Sequence, residues 1–115
     1  MSNTKKIGTW GEAYALKYLE NCGFYLYQSN YRQGRNEIDL IVYKKELLVF
    51  VEVKTRGTVN HGYPESFLLE QQKANIHDVA TYFLQRHPWS GTIRFDIVSI
   101  WNTVPLQLEH FVDAF

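Results

Sequence analysis

A chain of 115 residues, 45% hydrophobic and 16% aromatic, is long enough for one substantial core, too short for two, and too apolar to be disordered. Twelve basic residues balance twelve acidic ones, which argues against a strongly basic, general nucleic-acid binder but leaves room for a local basic patch. The longest apolar run, Leu47 to Val51, is strand-sized, so no membrane association is expected, and the lone Cys22 excludes an internal disulfide. The opening Met-Ser-Asn-Thr-Lys-Lys lacks the apolar stretch of a secretory signal, and a cytoplasmic location is expected.

The first helix is expected to start between Thr4 and Gly8 and to run to Cys22, with Gly23 as its left-handed C-cap. Its inward stripe reads Glu12, Ala15, Leu16, Leu19 and Cys22. Glu12 therefore takes a core-facing place near the helix start, where it either complements the helix dipole or meets a partner inside. Phe24 to Tyr31 alternates loosely as a first strand. Arg32-Gln33-Gly34-Arg35-Asn36 then reads as a polar loop whose arginines are either solvated or grip phosphates.

Glu37 to Lys54 reads as two strands rich in β-branched and aromatic residues, joined by a turn at Lys45-Glu46. Asp39, Glu52 and Lys54 are charges that a purely structural hairpin does not need. Side chains alternate along a strand, so Glu52 and Lys54 share one face. Counting outward from the turn places Asp39 opposite Glu52, at a Cβ separation of about 4.5–5.5 Å. Two carboxylates so placed repel unless a cation lies between them. A hard divalent ion resolves the conflict, and Mg²⁺, with Mn²⁺ as a substitute, suits one or two carboxylates plus phosphate oxygens. Lys54 then stands beside the metal, able to orient a water or neutralise a phosphate. The plainer alternative is a solvent-facing Glu-x-Lys ion pair.

Residues 55–64 carry two glycines and a proline and read as an irregular loop that covers the site or contacts substrate, with Arg56 at its start. Arg32, Arg35, Lys54 and Arg56 supply the local basic patch. A second helix is expected from Pro64-Glu65-Ser66 to about Arg86, with Leu69, Ile76, Val79, Ala80 and Phe83 inward. Gln72 and Lys73 interrupt that stripe. The lysine either snorkels to solvent or points at the cleft of Glu12. Thr92 to Ile100 is a fourth strand in which Asp96 pairs locally with Arg94, and Leu106 to Val112 is a short edge strand. The four histidines show no metal-ligand spacing and read as surface residues.

The order helix, strand, charged hairpin, helix, strand carries a resemblance. Glu12, Asn30-Tyr31-Arg32, Glu37-Ile38-Asp39-Leu40-Ile41, Phe50-Val51-Glu52-Val53-Lys54 with Arg56, Gly62, Lys73 and Arg94-Phe95-Asp96 resemble the YraN-like family, which is similar to archaeal Holliday-junction resolvases within the PD-(D/E)xK nuclease superfamily. The resemblance spans about Gly8 to Ile100. It implies a single α/β domain with a restriction-endonuclease-like fold, a mixed central sheet flanked by helices in the order α-β-β-β-α-β. It further implies that Asp39, Glu52 and the Val53 carbonyl bind Mg²⁺, that Lys54 assists the attacking water, and that Glu12 supports the metal. Two positions depart from the family pattern: Asn36 stands where a Gly is usual, and Asn75 and Ile76 follow Lys73 where a second basic residue is frequent.

The resulting expectation is a metal-dependent endonuclease acting on DNA, notably branched DNA. One alternative is a catalytically silent module that recognises DNA through Arg32, Arg56 and the 55–64 loop. Another is a protein-interaction domain that pairs as a homodimer through Trp101, Phe111 and Phe115.

Overall fold

The computed structural model describes residues 5–56 and 68–115, with side chains from Trp10 onward in the first helix. The central hairpin forms as its sequence dictates. Strand β2 (Asn36–Lys44) turns through Lys45 and Glu46 into β3 (Leu47–Arg56), with Lys44 opposite Leu47. Lys45 takes a left-handed φ of 55°, which supplies the turn without an Asn-Gly pair. Strand β1 (Tyr25–Gln33) lies antiparallel on the outer side of β2, joined by a two-residue turn at Gly34 and Arg35. Helix α2 (Glu70–Arg86) separates β3 from β4 (Thr92–Trp101), and the two strands are parallel; β5 (Gln107–Phe111) closes the sheet antiparallel to β4. The result is a mixed five-stranded sheet in the order β1-β2-β3-β4-β5.

The apolar residues divide between the two faces. Helix α1 (Lys5–Asn21) covers one face, where Ala15 and Leu19 pack on Leu40, Val42, Val49, Val51, Val98 and Ile100. On the other face Ile76, Val79, Ala80 and Phe83 of α2 pack on Ile38, Ile41, Leu48, Phe50 and Ile97. Gly11 explains how α1 comes so close: a Cβ there would collide with the Thr55 side chain of β3. The glycine weakens the helix intrinsically, yet it brings the following residue, Glu12, against the sheet.

The sheet is not continuous from end to end. The β2–β3 ladder runs from Lys44–Leu47 to Leu40–Val51 and ends there. Beyond that rung, Glu37 and Ile38 pair with β1 while Glu52 to Arg56 pair with β4. The two strands thus open as a fork, and the rung at which Asp39 and Glu52 would have met is its first open position. Strand alternation also breaks here, because Ile38 and Ile41 both face α2 while Leu40 and Val42 face α1.

Several expectations need correction. Cys22 is exposed and lies outside the helical stripe. Arg32 is a strand residue, since β1 continues to Gln33, and Thr55 and Arg56 belong to β3. The remainder of the expected 55–64 loop and the Pro64-Glu65-Ser66 helix start lie outside the described residues; the described helix begins at Glu70. Leu69 is exposed and Leu68 buried, because residue 69 precedes the first helical turn. The C-terminal aromatics do not form an exposed pairing surface: Trp101 is buried, and Phe111 and Phe115 pack against the core beneath α2.

Asp96 is more than a local ion pair. It is fully buried and accepts two hydrogen bonds from Arg94, at 2.9 and 2.8 Å, and one from the Asp113 N–H at 2.9 Å. His110 Nε2 lies 2.8 Å away, and His110 Nδ1 is 3.0 Å from the Tyr18 hydroxyl of α1. His110 is therefore an interior link between β4, β5 and α1, not a surface residue. Burial alone would raise the Asp96 pKa, but the hydrogen bonds from His110, Arg94 and Asp113 together hold it below the usual carboxylate value.

A depressed folded-state pKa gives stability that is present above the unfolded value of about 3.9 and is lost as pH falls through the lower folded value. Asp96→Ala should therefore destabilise the protein by about 3–5 kcal/mol at pH 7, since it strands Arg94 and His110. Urea unfolding of both proteins should show the gap narrowing below pH about 4. A gap that stays constant into acid would assign the loss to packing instead.

Candidate metal centre in the strand fork

Three elements deliver carboxylates to the fork. The carboxylate oxygens of Glu12 from α1 and of Glu37 and Asp39 from β2 lie within 4.8 Å of one another. Glu52, from β3, adds a fourth carboxylate whose charge acts on Asp39. Where the ladder has ended, Asp39 Oδ2 takes the place of a backbone carbonyl and accepts the Val53 N–H at 2.8 Å. The N–H and C=O of one strand residue point to the same side, so the Val53 carbonyl also faces the fork.

The electrostatics mark Asp39 as the hub. Its pKa is pushed up to about 8, first by burial and then by the Glu52 charge, with Glu12 and Glu37 adding to the rise and the Val53 N–H opposing it. Glu52 is likewise raised by burial, against the lowering effects of Lys54 and of the hydrogen bond with Asp39. Such a group of carboxylates resists ionising together. Their common neutralisation needs either protons or a cation. An all-oxygen, carboxylate-rich donor set is what a hard divalent ion takes, and the residues present are compatible with a divalent metal.

The structure places Glu12, Asp39, Glu52, Val53 and Lys54 around the fork. Arg32 joins them at second hand, because its Nη2 donates to Glu37 Oε1 at 2.7 Å with about half of the guanidinium side chain still exposed. Gln72 borders a cleft with Asn36, Glu37, Glu52, Asn75 and Ile76, and its side-chain oxygen accepts the Leu69 N–H at 2.9 Å, capping α2. Lys73 instead pairs with Glu70 at 3.2 Å, one turn back along its own helix. Arg35 sits exposed on the β1–β2 turn. Arg56 ends β3 on the strand face that Glu52 and Lys54 share.

Sequence reasoning missed two members. Glu37 completes the carboxylate cluster, and its two-residue spacing from Asp39 could have suggested a shared strand face. Asn30 donates from Nδ2 to Glu12 Oε1 at 3.0 Å and to Glu37 Oε2 at 2.6 Å. Its signal was an asparagine, a poor strand former, inside a tyrosine-rich strand.

A raised carboxyl pKa has a definite consequence for metal-free stability. Unfolded Asp39 ionises near 3.8 and folded Asp39 near 8, so between those values the folded state holds more protons and stability falls as pH rises. Urea unfolding in chelator from pH 5 to 9 should show this decline in the parent. Asp39→Asn should flatten it in part, Glu52 contributing the rest, and should be the more stable protein at pH 9 by about 1–3 kcal/mol. Parallel curves for the two proteins would mean that Asp39 is not held in a charge-averse setting.

Among the described residues no helix is long and apolar enough to cross a membrane. The profile of "Uncharacterised protein family UPF0102" matches residues 11–100, which takes in the fork, α2 and the part of α1 from Gly11 onward. The chain is 37% identical to a UPF0102 protein of Chlorobium limicola over 95% of its own length and 91% of the relative. It is 42% identical to one of Chloroherpeton thalassium over 87% of this chain and 78% of the relative. A UPF0102 protein of Clostridioides difficile matches at 32% identity over 98% and 99% of the two chains. With its mixed sheet flanked by two helices, consistent with a restriction-endonuclease-like fold, the chain belongs to the UPF0102 (YraN) family of the PD-(D/E)xK nuclease superfamily.

Proposed function

We propose that this protein is a Mg²⁺-dependent endonuclease that hydrolyses DNA phosphodiester bonds, with branched, Holliday-junction-like DNA as the substrate class. The observation that carries the reading is the convergence of Asp39 and Glu52 in the strand fork, with Glu12 and Glu37 beside Asp39 and Lys54 acting on Glu52. The branched substrate is supported only by the resemblance to junction resolvases.

Asp39, Glu52 and the Val53 carbonyl would hold the ion, Mn²⁺ serving in place of Mg²⁺. When bound, the ion supplies Lewis-acid stabilisation of the charge that develops on the phosphate. The remaining work falls to the chain. Lys54 places an ammonium next to the Glu52 carboxylate, where it orients the attacking water or neutralises a phosphate oxygen. Glu12 adds negative charge on the α1 side of Asp39. Arg32 and Arg35, near or on the β1–β2 turn, offer cations to the DNA backbone, with Arg56 beyond Lys54. Gln72 extends the polar lining on the α2 side, and Lys73 must leave Glu70 to take part.

Cleavage of a four-way junction and of linear duplex DNA, with Mg²⁺ or with chelator, tests the reading. Asp39→Ala and Glu52→Gln should each lower the metal-dependent rate by about 10²–10³-fold, and Lys54→Met by about 10²-fold. Cleavage by Asp39→Ala at the parent rate, at matched purity, would remove the fork from the chemistry. Salt-sensitive DNA binding without any metal-dependent turnover would favour a silent binding module.

A further inference from the structure

Asn30 lies between two paired rungs, Ser29–Leu40 and Tyr31–Ile38, and so stands across the β1–β2 ladder from Asp39. Its backbone is left-handed, with φ 51°, inside a strand whose other residues, apart from a shift near Tyr27, pair regularly. That turn of the backbone delivers the carboxamide to two carboxylates at once. Both contacts are made by Nδ2, at 3.0 Å to Glu12 and 2.6 Å to Glu37, so each of its hydrogens is committed to one acidic residue.

We propose that Asn30 is the positioning residue of the fork: a neutral double donor that fixes Glu12 and Glu37 beside Asp39 without cancelling the charge that attracts a cation. This rests on the metal-site reading above. The residue type follows from two demands. A left-handed backbone admits Gly, Asn and Asp most readily. Of these only Asn carries two hydrogens to donate. Gly offers none, and Asp would add a further carboxylate to the cluster. Arg or Lys would donate, but their positive charge would neutralise the cluster in place of the ion. Arg32 makes that kind of contact with Glu37, but from the solvent side, with about half of its side chain exposed. Asn30 is thus the contact that orders the cluster from within and leaves its net charge intact.

The test compares Mn²⁺ binding, read from the free-ion electron paramagnetic resonance signal, for the parent, Asp39→Asn and Asn30→Gly, with metal-free melting temperatures alongside. Glycine accepts the left-handed φ and deletes only the amide. Its Kd for Mn²⁺ should rise by about 10–100-fold while its melting temperature stays close to the parent's. A Gly variant that binds as tightly as the parent, while Asp39→Asn does not, overturns the positioning role alone. A parent that binds no Mn²⁺ overturns the metal reading and the proposal with it. If the Gly variant does not fold, the parent still decides the matter by NMR. The Asn30 side-chain amide protons should lie downfield of free amides and exchange slowly, and Glu37→Gln should shift one of them. Free-amide positions for both protons would refute the proposal.

Discussion

Beyond the Leu40–Val51 rung β2 and β3 no longer pair with each other but stay paired to β1 and β4, and the space between them is filled by carboxylates. In an unbroken ladder Asp39 and Glu52 would be neighbours whose charges merely destabilise the sheet. In the fork, Asp39 satisfies the Val53 N–H that the lost ladder bond would have left open, and it feels the charges of Glu52, Glu12 and Glu37. The site is a consequence of ending a ladder one rung early between two buried layers. Burial and like charge then raise both the Asp39 and the Glu52 pKa.

Such a cluster stays in place only if the elements bearing it cannot relax away from one another. Helix α1 is held close to β3 by the bare Cα of Gly11 against Thr55, and its other end is tied to β5 through Tyr18 and His110. His110 is in turn fixed by Asp96, which also gathers Arg94 and the Asp113 N–H. On the opposite face Phe83, fully buried, packs edge-on against Phe50 of β3 at 5.8 Å and Tyr31 of β1 at 5.0 Å, and so holds α2 to one fork strand and to the outer neighbour of the other. The apolar layers set the positions and the acidic groups are carried to theirs.

Much of this was legible from residues alone. The two-residue turn at Lys45-Glu46 gave the register seen, Lys44 opposite Leu47, although the continuous apolar run Leu47 to Val51, buried on both faces, does not fix it by alternation. Glu12 was visible as a charge on an apolar stripe, and the resemblance supplied the order of elements. What stayed hidden has physical causes. Asn30 acts through a left-handed φ, which periodicity does not encode. Glu37 is held in the cluster by Asn30 and Arg32 of β1, contacts that its spacing from Asp39 does not specify. Asp96 and His110 are distant in sequence from the α1 residue they reach, so a local ion pair and a surface histidine were the natural readings. Lys73 sits one turn from Glu70, and a helical neighbour captured it before the cleft could.

A fork so built would hold a divalent cation between its two strands. Crystals grown with Mn²⁺ and measured for anomalous scattering test it directly. A peak should appear in the fork within about 2.0–2.3 Å of carboxylate oxygens of Asp39 and Glu52 and of the Val53 carbonyl. A fork without an anomalous peak at saturating Mn²⁺, with Asp39 still accepting the Val53 N–H, would show that the carboxylates are neutralised by protons instead.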